Sequence, residues 1–529
     1  MTSALYLDAN ATTPVLPCAI AAATRAMVEQ FGNPSSSHSA GLVAKEMLAQ
    51  ARAMAAQVIG AGDGDVLFTS GATEGIQTAV LSALCSIRGN LQADLRDGNL
   101  QRRPLLLVYG ATEHKAVPMA LAHWNQILGL GLELRALPVD ADGKHDLHTL
   151  ALWLPDTALL CTMAANNETG VVSDLVGIER LLTTSGSRAL WLVDCVQALG
   201  KLELNVHSSR IDYAPFSGHK LYAPKGIGML YVRKGAPYTA LMAGGGQEGG
   251  MRGGTENMPG IAAFGAVLQA LQQGQTFASH ATLHAYRDQL ELALCQAFPN
   301  IVFNAPLAQC LPTTLNFSVP RVTSKTLLDV LDAAGLCVSA GSACSAAKAT
   351  ASYVLEAMGL PDWRTQSAVR LSFGPLADAP TIEAACQAIA RCGEALHATT
   401  DGMQDIPAES MPAVSMADDA ADVHSLTLQW SDLDAFMQTH PDARMVDVRE
   451  SVEHYVSGGI HHGQWAARNA PWSTMAARPP QWLAADAAAP VVLVCRSGNR
   501  SLKAARWLHA RGYATVRHVH GGLALRPTE

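Results

Sequence analysis

An α/β fold with a largely parallel sheet is what residues 1–397 predict. Short apolar runs alternate there with longer Ala/Leu-rich helical segments, the pattern of strands joined by helical crossovers. Four or five of those runs end in polar groups, at the edge where such sheets hold their ligands. A third observation bounds the unit. Residues 398–424 carry Asp401, Asp405, Glu409, Asp418, Asp419 and Asp422 with no Lys or Arg, so they read as an acidic flexible linker. Residues 425–529 then form a second, smaller α/β unit.

Composition narrows the classes of function. Of 529 residues, 49% are hydrophobic and 16% charged, which excludes a disordered chain. A formal charge of -8, from 45 acidic and 37 basic residues, supplies no field for nucleic acid. The charge is uneven: residues 425–529 hold 11 Lys/Arg against 8 Asp/Glu, a mildly basic unit on an acidic body. The 11 cysteines form no Cys-x-x-Cys pairs, and Met1–Asp8 lacks a basic segment leading into an apolar one, so a reduced, cytoplasmic protein is expected. No stretch reaches the roughly 20 uncharged apolar residues that span a bilayer, so no membrane is expected.

In chain order, Val66–Thr69 reads as a strand running into Ser70-Gly71-Ala72-Thr73-Glu74-Gly75, ahead of a helix over Ile76–Cys85. Small residues at a helix start leave N–H groups free for a phosphate. Leu105–Tyr109 leads to His114, an imidazole able to stack on a ring and move protons. Ala158–Met163 delivers Asn166 and Asn167, whose amides can bond a phenolic oxygen or a carboxylate. Leu190–Val193 ends in Asp194, with Gln197 just beyond, and Ile211–Phe216 ends in Ser217-Gly218-His219-Lys220. A lysine amine and a carboxylate at such strand ends suit pyridoxal phosphate. The amine forms an imine with the aldehyde, and the carboxylate keeps the pyridine nitrogen protonated so that the ring accepts electrons.

Taken together, Tyr6-Leu7-Asp8, Gly32-Asn33-Pro34, Thr69 to Glu74, Thr112 to Val117, Asn166-Asn167-Glu168, Ser217 to Lys220 and Gly341 to Cys344 resemble the cysteine desulfurases. These are fold type I pyridoxal phosphate enzymes related to class V aminotransferases, with a large α/β/α domain and a small α+β domain. The resemblance covers residues 5–397. It implies that Lys220 binds the cofactor covalently, Asp194 pairs with the ring nitrogen, Gln197 bonds the ring oxygen and His114 stacks on the ring. Ala72, Thr73, Ser217 and His219 would hold the phosphate, and Asn167 and Arg370 the substrate, with Arg370 on its carboxylate. The Gly-rich segment Gly244–Gly254 corresponds to one that crosses a homodimer interface, where Thr255 would reach the partner's phosphate.

Ser339 to Lys348 is small, polar and Gly-containing, which suits an exposed loop and leaves Cys344 available for chemistry. By the resemblance, its thiolate takes the sulfur of L-cysteine as a persulfide and L-alanine leaves. In the second unit, Arg444–Glu450 and Val491–Val494 read as strands. The latter runs into Cys495-Arg496-Ser497-Gly498-Asn499-Arg500-Ser501 and a helix over Leu502–His509. Strand, cysteine loop and helix start make a cradle of N–H groups for a persulfide anion, to which Arg496 and Arg500 add positive charge. With Val446 to Glu450 and His520-Gly521-Gly522, this segment resembles single-domain rhodaneses. Two departures are Ile460-His461-His462-Gly463 and the short stretch after Gly522, so a shortened final packing element is expected. The joint expectation is a desulfurase relaying sulfur from Cys344 to Cys495 and on to sulfur-acceptor proteins. Recipients could serve iron-sulfur, tRNA-thiolation, thiamin or molybdenum cofactor pathways. Selenocysteine cleavage, or another class V reaction with the rhodanese unit as a docking module, is the alternative.

Overall fold

The computed structural model describes residues 4–96, 105–340, 351–400, 423–477, 479–484 and 487–527. They fall into two compact units, one running to Leu328 and taking in Cys337–Cys386, the other gathering Asp329–Leu336 and Gln387–Glu529.

The first unit is built on α1 (Pro17–Val28), α2 (Ser39–Ile59), β1 (Asp65–Thr69), α3 (Ala72–Arg96), β2 (Leu106–Gly110), α4 (Ala116–Ile127), β3 (Glu133–Leu137) and β4 (Thr157–Met163). It continues with α5 (Leu175–Thr184), β5 (Leu190–Asp194), β6 (Tyr213–Ser217), β7 (Gly228–Val232) and α6 (Met258–Gln273). The seven strands form one sheet in the order β1-β7-β6-β5-β4-β2-β3. Strands β2 to β6 run parallel, as the alternation predicts, while β7 is antiparallel to both neighbours. The turn from β6 to β7 is too short for a helical crossover, so the chain doubles back.

Strand alternation divides the core between the two faces of this sheet. Phe68, Val108, Leu160, Trp191, Val193, Phe216 and Met229 enter one cluster, whereas Leu67, Leu107, Leu159, Cys161, Leu192, Tyr213 and Leu230 enter the other. Period-2 geometry thus makes continuous apolar runs the right sequence for strands covered on both sides. Helix α6 packs on α1 and α2, starts at the cap Asn257, which accepts from the Gly260 N–H, and stops at Gly274 with φ 68°. Beyond it come α7 (His280–Ala297) and the antiparallel sheet β10-β9-β8, made of β8 (Val302–Phe303), β9 (Thr314–Ser318) and β10 (Val369–Ser372).

The second unit has a five-stranded parallel sheet in the order β11-β15-β14-β12-β13, comprising β11 (Thr427–Leu428), β12 (Arg444–Asp447), β13 (Arg468–Asn469), β14 (Val491–Val494) and β15 (Val516–Val519). Helix α8 (Asn499–His509) follows β14, starting three residues before the sequence expectation. After Gly521 the described chain makes one short turn over Gly522–Leu525. Among the described residues no helix is long and apolar enough to cross a membrane.

Candidate active site

The C-terminal ends of β1, β2, β5 and β6 carry the predicted residues. Helix α3 begins at Ala72, four residues ahead of Ile76, so Ala72 and Thr73 form its first turn, where N–H groups lack intrahelical partners. The early start has a local cause: Glu74 reaches back to accept the Ser70 N–H at 2.7 Å, and Thr69 Oγ1 donates to the Gly71 carbonyl at 3.0 Å. The turn also packs tightly on β7. A Cβ on Gly228 would lie 2.4 Å from the Phe216 carbonyl oxygen and 2.7 Å from Gly71 Cα, so this contact requires glycine. Ser217 faces the same turn, its Oγ 4.0 Å from where a Cβ on Gly71 would stand.

Lys220 Nζ donates to the carbonyls of Asn10 at 2.9 Å and Ala11 at 2.7 Å. Asp194 is buried at the end of the adjacent strand. Burial raises its carboxyl above the usual range, opposed by the Val196 N–H, bonded at 2.9 Å, and by His114 and Lys220. His114 is held below its ordinary value, chiefly by desolvation, with Lys220 and Lys115 adding to the effect and Asp194 opposing it. Its Nδ1 accepts the Ala116 N–H at 3.2 Å, which leaves Nε2 to carry the proton of the neutral ring. His219 is lowered to about 4 by burial, then by Lys220 and Lys225, and its Nδ1 lies 3.1 Å from Thr12 Oγ1.

Gln197 is engaged at both ends of its amide, donating to the Asn10 carbonyl at 3.1 Å and accepting from Lys201 Nζ at 2.7 Å. Arg370 is 2% exposed, with Nη2 2.6 Å from Asp8 Oδ1 and Nη1 donating to the Asn167 carbonyl at 2.8 Å. Asn167 Oδ1 is buried without a hydrogen-bond partner. In the Gly-rich segment, Arg52 pairs with Glu248 at 2.8 Å and Arg252 with Glu74 at 3.0 Å, while Thr255 is exposed. Cys344 lies outside the described residues.

Asn10 and Lys201 belong to this cluster and sequence reasoning missed them, while Asp8 stood in the resemblance without a role. Lys201 is 1% exposed, and burial, with Lys220 and Arg370, pulls its amine down to about 7. The four-residue spacing of Gln197 and Lys201 was the available signal.

In the second unit Cys495 Sγ accepts the N–H groups of Gly498 at 3.2 Å and Ser501 at 3.3 Å, and Ser501 Oγ stands 3.4 Å away. Gly498 is left-handed at φ 85°, and a Cβ there would meet the Gly521 nitrogen at 2.9 Å. Backbone N–H groups thus surround the sulfur, and Cys495 is fully buried. Gly522 packs closely on this loop, since a Cβ there would come to 2.1 Å from the Cys495 carbonyl oxygen. Ser497 and Asn499 are exposed. Arg496 Nη2 bonds Asp332 Oδ1 at 2.7 Å and Arg500 Nη2 bonds the buried Glu453 at 2.7 Å, so acidic partners offset both cations.

The first site fits a phosphorylated aldehyde cofactor. A helix start with Ser217 beside it suits the phosphate, Lys220 the aldehyde, the buried Asp194 the ring nitrogen, and the unpartnered Asn167 Oδ1 leaves an acceptor unused. Fold and site together define a pyridoxal phosphate enzyme of fold type I. The family model for class V aminotransferases matches residues 5–384 and that for rhodanese-like domains matches residues 430–525, so the chain belongs to the class V aminotransferase family and carries a rhodanese-like domain. It is 36% identical over 404 residues to cysteine desulfurase 2 of Trichormus variabilis, covering 76% of this chain and 96% of that protein. It is 35% identical over 372 residues to the cysteine desulfurase NifS of Azotobacter vinelandii, covering 70% and 87%. A solved structure of a NifS-like protein superposes with a TM-score of 0.64 at 29% identity, covering 74% of this chain and 99% of that one.

Proposed function

We propose that this protein is a cysteine desulfurase that takes sulfur from L-cysteine as a persulfide on Cys344, releases L-alanine, and relays the sulfur to Cys495 and then to acceptor proteins. The observation that carries the reading is the coexistence in one chain of the Lys220–Asp194–His114 cluster and the N–H cradle around Cys495. The proposed division is a desulfurase domain over 1–397, a linker over 398–424 and a rhodanese domain over 425–529, acting in the cytoplasm as a homodimer in which Thr255 completes the partner's phosphate site.

Bound pyridoxal phosphate supplies the electron sink. The protein supplies the rest. Two backbone carbonyls aim Lys220 Nζ, and Asp194 holds a proton on the ring nitrogen. His114 Nε2 is the atom that exchanges a proton with the substrate, because the Ala116 N–H occupies Nδ1. Arg370, already fixed by Asp8 and Asn167, receives the substrate carboxylate. The Cys344 thiolate attacks the substrate sulfur; the sulfur–sulfur bond forms as the carbon–sulfur bond breaks, and the electron pair returns to carbon, which takes up a proton as alanine. In the relay, the Cys495 thiolate attacks the terminal sulfur and Cys344 leaves as thiolate. A tether of the linker's length with coil dimensions would span on the order of 30 Å and would keep the acceptor at a local concentration of order mM.

The test is mass spectrometry after turnover of labelled cysteine: label is expected on Cys344 and Cys495, and on Cys344 alone in Cys495→Ser. The burial of Cys495 favours one second reading, a docking module. Label that never reaches Cys495 in the unmutated protein would establish docking and end the relay.

A further inference from the structure

Glu113 and His145 are buried titratable groups that the reaction above leaves unused. Glu113, just past β2, is 1% exposed, and His145 is 8% exposed. Both ring nitrogens of the second lack hydrogen-bond partners, and the carboxyl of the first has no side-chain partner, meeting only the Met163 backbone. The two side chains flank one point. A Cβ on Gly110 would stand 2.5 Å from His145 Nε2 and 3.1 Å from Glu113 Oε1, so only glycine at the last position of β2 lets the two groups converge there.

Ionising an unpaired carboxylate in such a place is costly. Burial and the neighbouring Asp194 push the Glu113 carboxyl well above its usual range, against only the Met163 backbone. Burial and Lys144 bring His145 down to about 4, with Asp140 opposing, so its ring is a neutral acceptor. Other groups do not compete for the proton. The Cys161 thiol is pushed up by burial and by Glu113, and Lys144 Nζ is committed to the Val172 carbonyl at 2.5 Å. Asp174, His280 and His284 line the same cleft of about 720 Å³ as His145. Two carboxyl groups in one buried region do not both ionise.

We propose that Glu113, donating its proton toward His145 Nε2 through one bridging water, is a positioning residue that reserves the negative charge of this region for Asp194. The inference rests on the pyridoxal phosphate reading, in which Asp194 must stay charged beside the ring nitrogen. It is tested by infrared difference spectroscopy and absorbance titration of the holoenzyme. A carboxylic-acid carbonyl band absent from Glu113→Gln is expected to persist from mildly acid to alkaline pH. Glu113→Gln, neutral and of the same shape, should leave the pH titration of the cofactor absorbance unmoved. His145→Leu should shift the acid band toward that of a non-hydrogen-bonded acid. An ionised Glu113 at neutral pH, a tenfold or larger shift of the titration in Glu113→Gln, or a band unmoved in His145→Leu would overturn the proposal. Failure of the cofactor reading is separately visible, as an unmutated protein that gains no cofactor absorbance on reconstitution.

Discussion

The Lys220 site and the Cys495 loop solve the same placement problem in opposite ways. Each puts its reactive side chain just beyond a fully buried strand, in a largely parallel sheet for Lys220 and a parallel one for Cys495. The Lys220 site is then assembled from distant segments: Asn10 holds Lys220, Gln197 and Lys201, while Asp8 holds Arg370. At the Cys495 loop, among the described residues, the sulfur is bonded by its own next turn, from Gly498 to Ser501. A site made of long-range contacts exists only once the fold is complete, whereas a contiguous cradle is fixed by a left-handed glycine and a helix start.

Mutations can break that contrast. The largest effect is expected for Lys220→Ala, which should lower alanine formation by more than about 10³-fold, because the amine that anchors the cofactor covalently is lost. Borohydride reduction followed by peptide mapping should label Lys220 in the unmutated protein and no lysine in the variant; label elsewhere would displace the assignment. In the second unit the comparable loss is one of stability. Asp447 is fully buried, bonds Arg449 through Nε at 2.9 Å and Nη2 at 2.7 Å, and lies 3.0 Å from His454 Nδ1. Asp447→Ala strands the buried guanidinium and should cost about 3–5 kcal/mol in denaturant unfolding of that unit. A midpoint unchanged from the unmutated protein would mean that the pair contributes nothing.

A smaller effect sharpens the first site. Arg370→Lys keeps the charge but loses the fork that Asp8 and Asn167 align, so the KM for cysteine should rise about 10- to 100-fold with kcat less affected. A fall in kcat at constant KM would remove Arg370 from substrate binding.

The same contrast governs what could be read from sequence. Lys220, Asp194 and Cys495 were legible because each follows a continuous apolar run, and a run covered on both faces has few readings other than a central strand. The antiparallel β7 was not legible, since its Gly-Met-Leu-Tyr-Val looks like any buried strand and only the short turn before it sets its direction. Glu113 was passed over although it adjoins His114, because nothing local marks a carboxyl as enclosed. Asn10 could not be assigned, since its partners Lys220, Gln197 and Lys201 lie about two hundred positions away and meet it only in the folded chain. The close packing of Gly522 on the Cys495 carbonyl is a contact that a polar loop does not announce.

Lys201 offers the finest test, because only the first region carries a buried lysine among the described residues; Lys503, the one lysine of residues 425–529, is exposed. Burial lowers the Lys201 amine from 10.5 to about 7, so between those values the unfolded chain binds a proton that the native protein does not. Stability then rises with pH across that window, by at most about 1.4 kcal/mol per pH unit, and is flat with respect to this group below it, where both states are protonated. Lys201→Met removes the group and should flatten the rise in the first unit while leaving the pH dependence of the second unchanged. Equilibrium unfolding of both proteins at several values across the window measures the difference. If the two curves stay parallel, Lys201 is charged when buried, held so by Asn10 Oδ1 at 3.0 Å and Gln197 Oε1 at 2.7 Å, and it then acts as a fixed cation beneath the cofactor site.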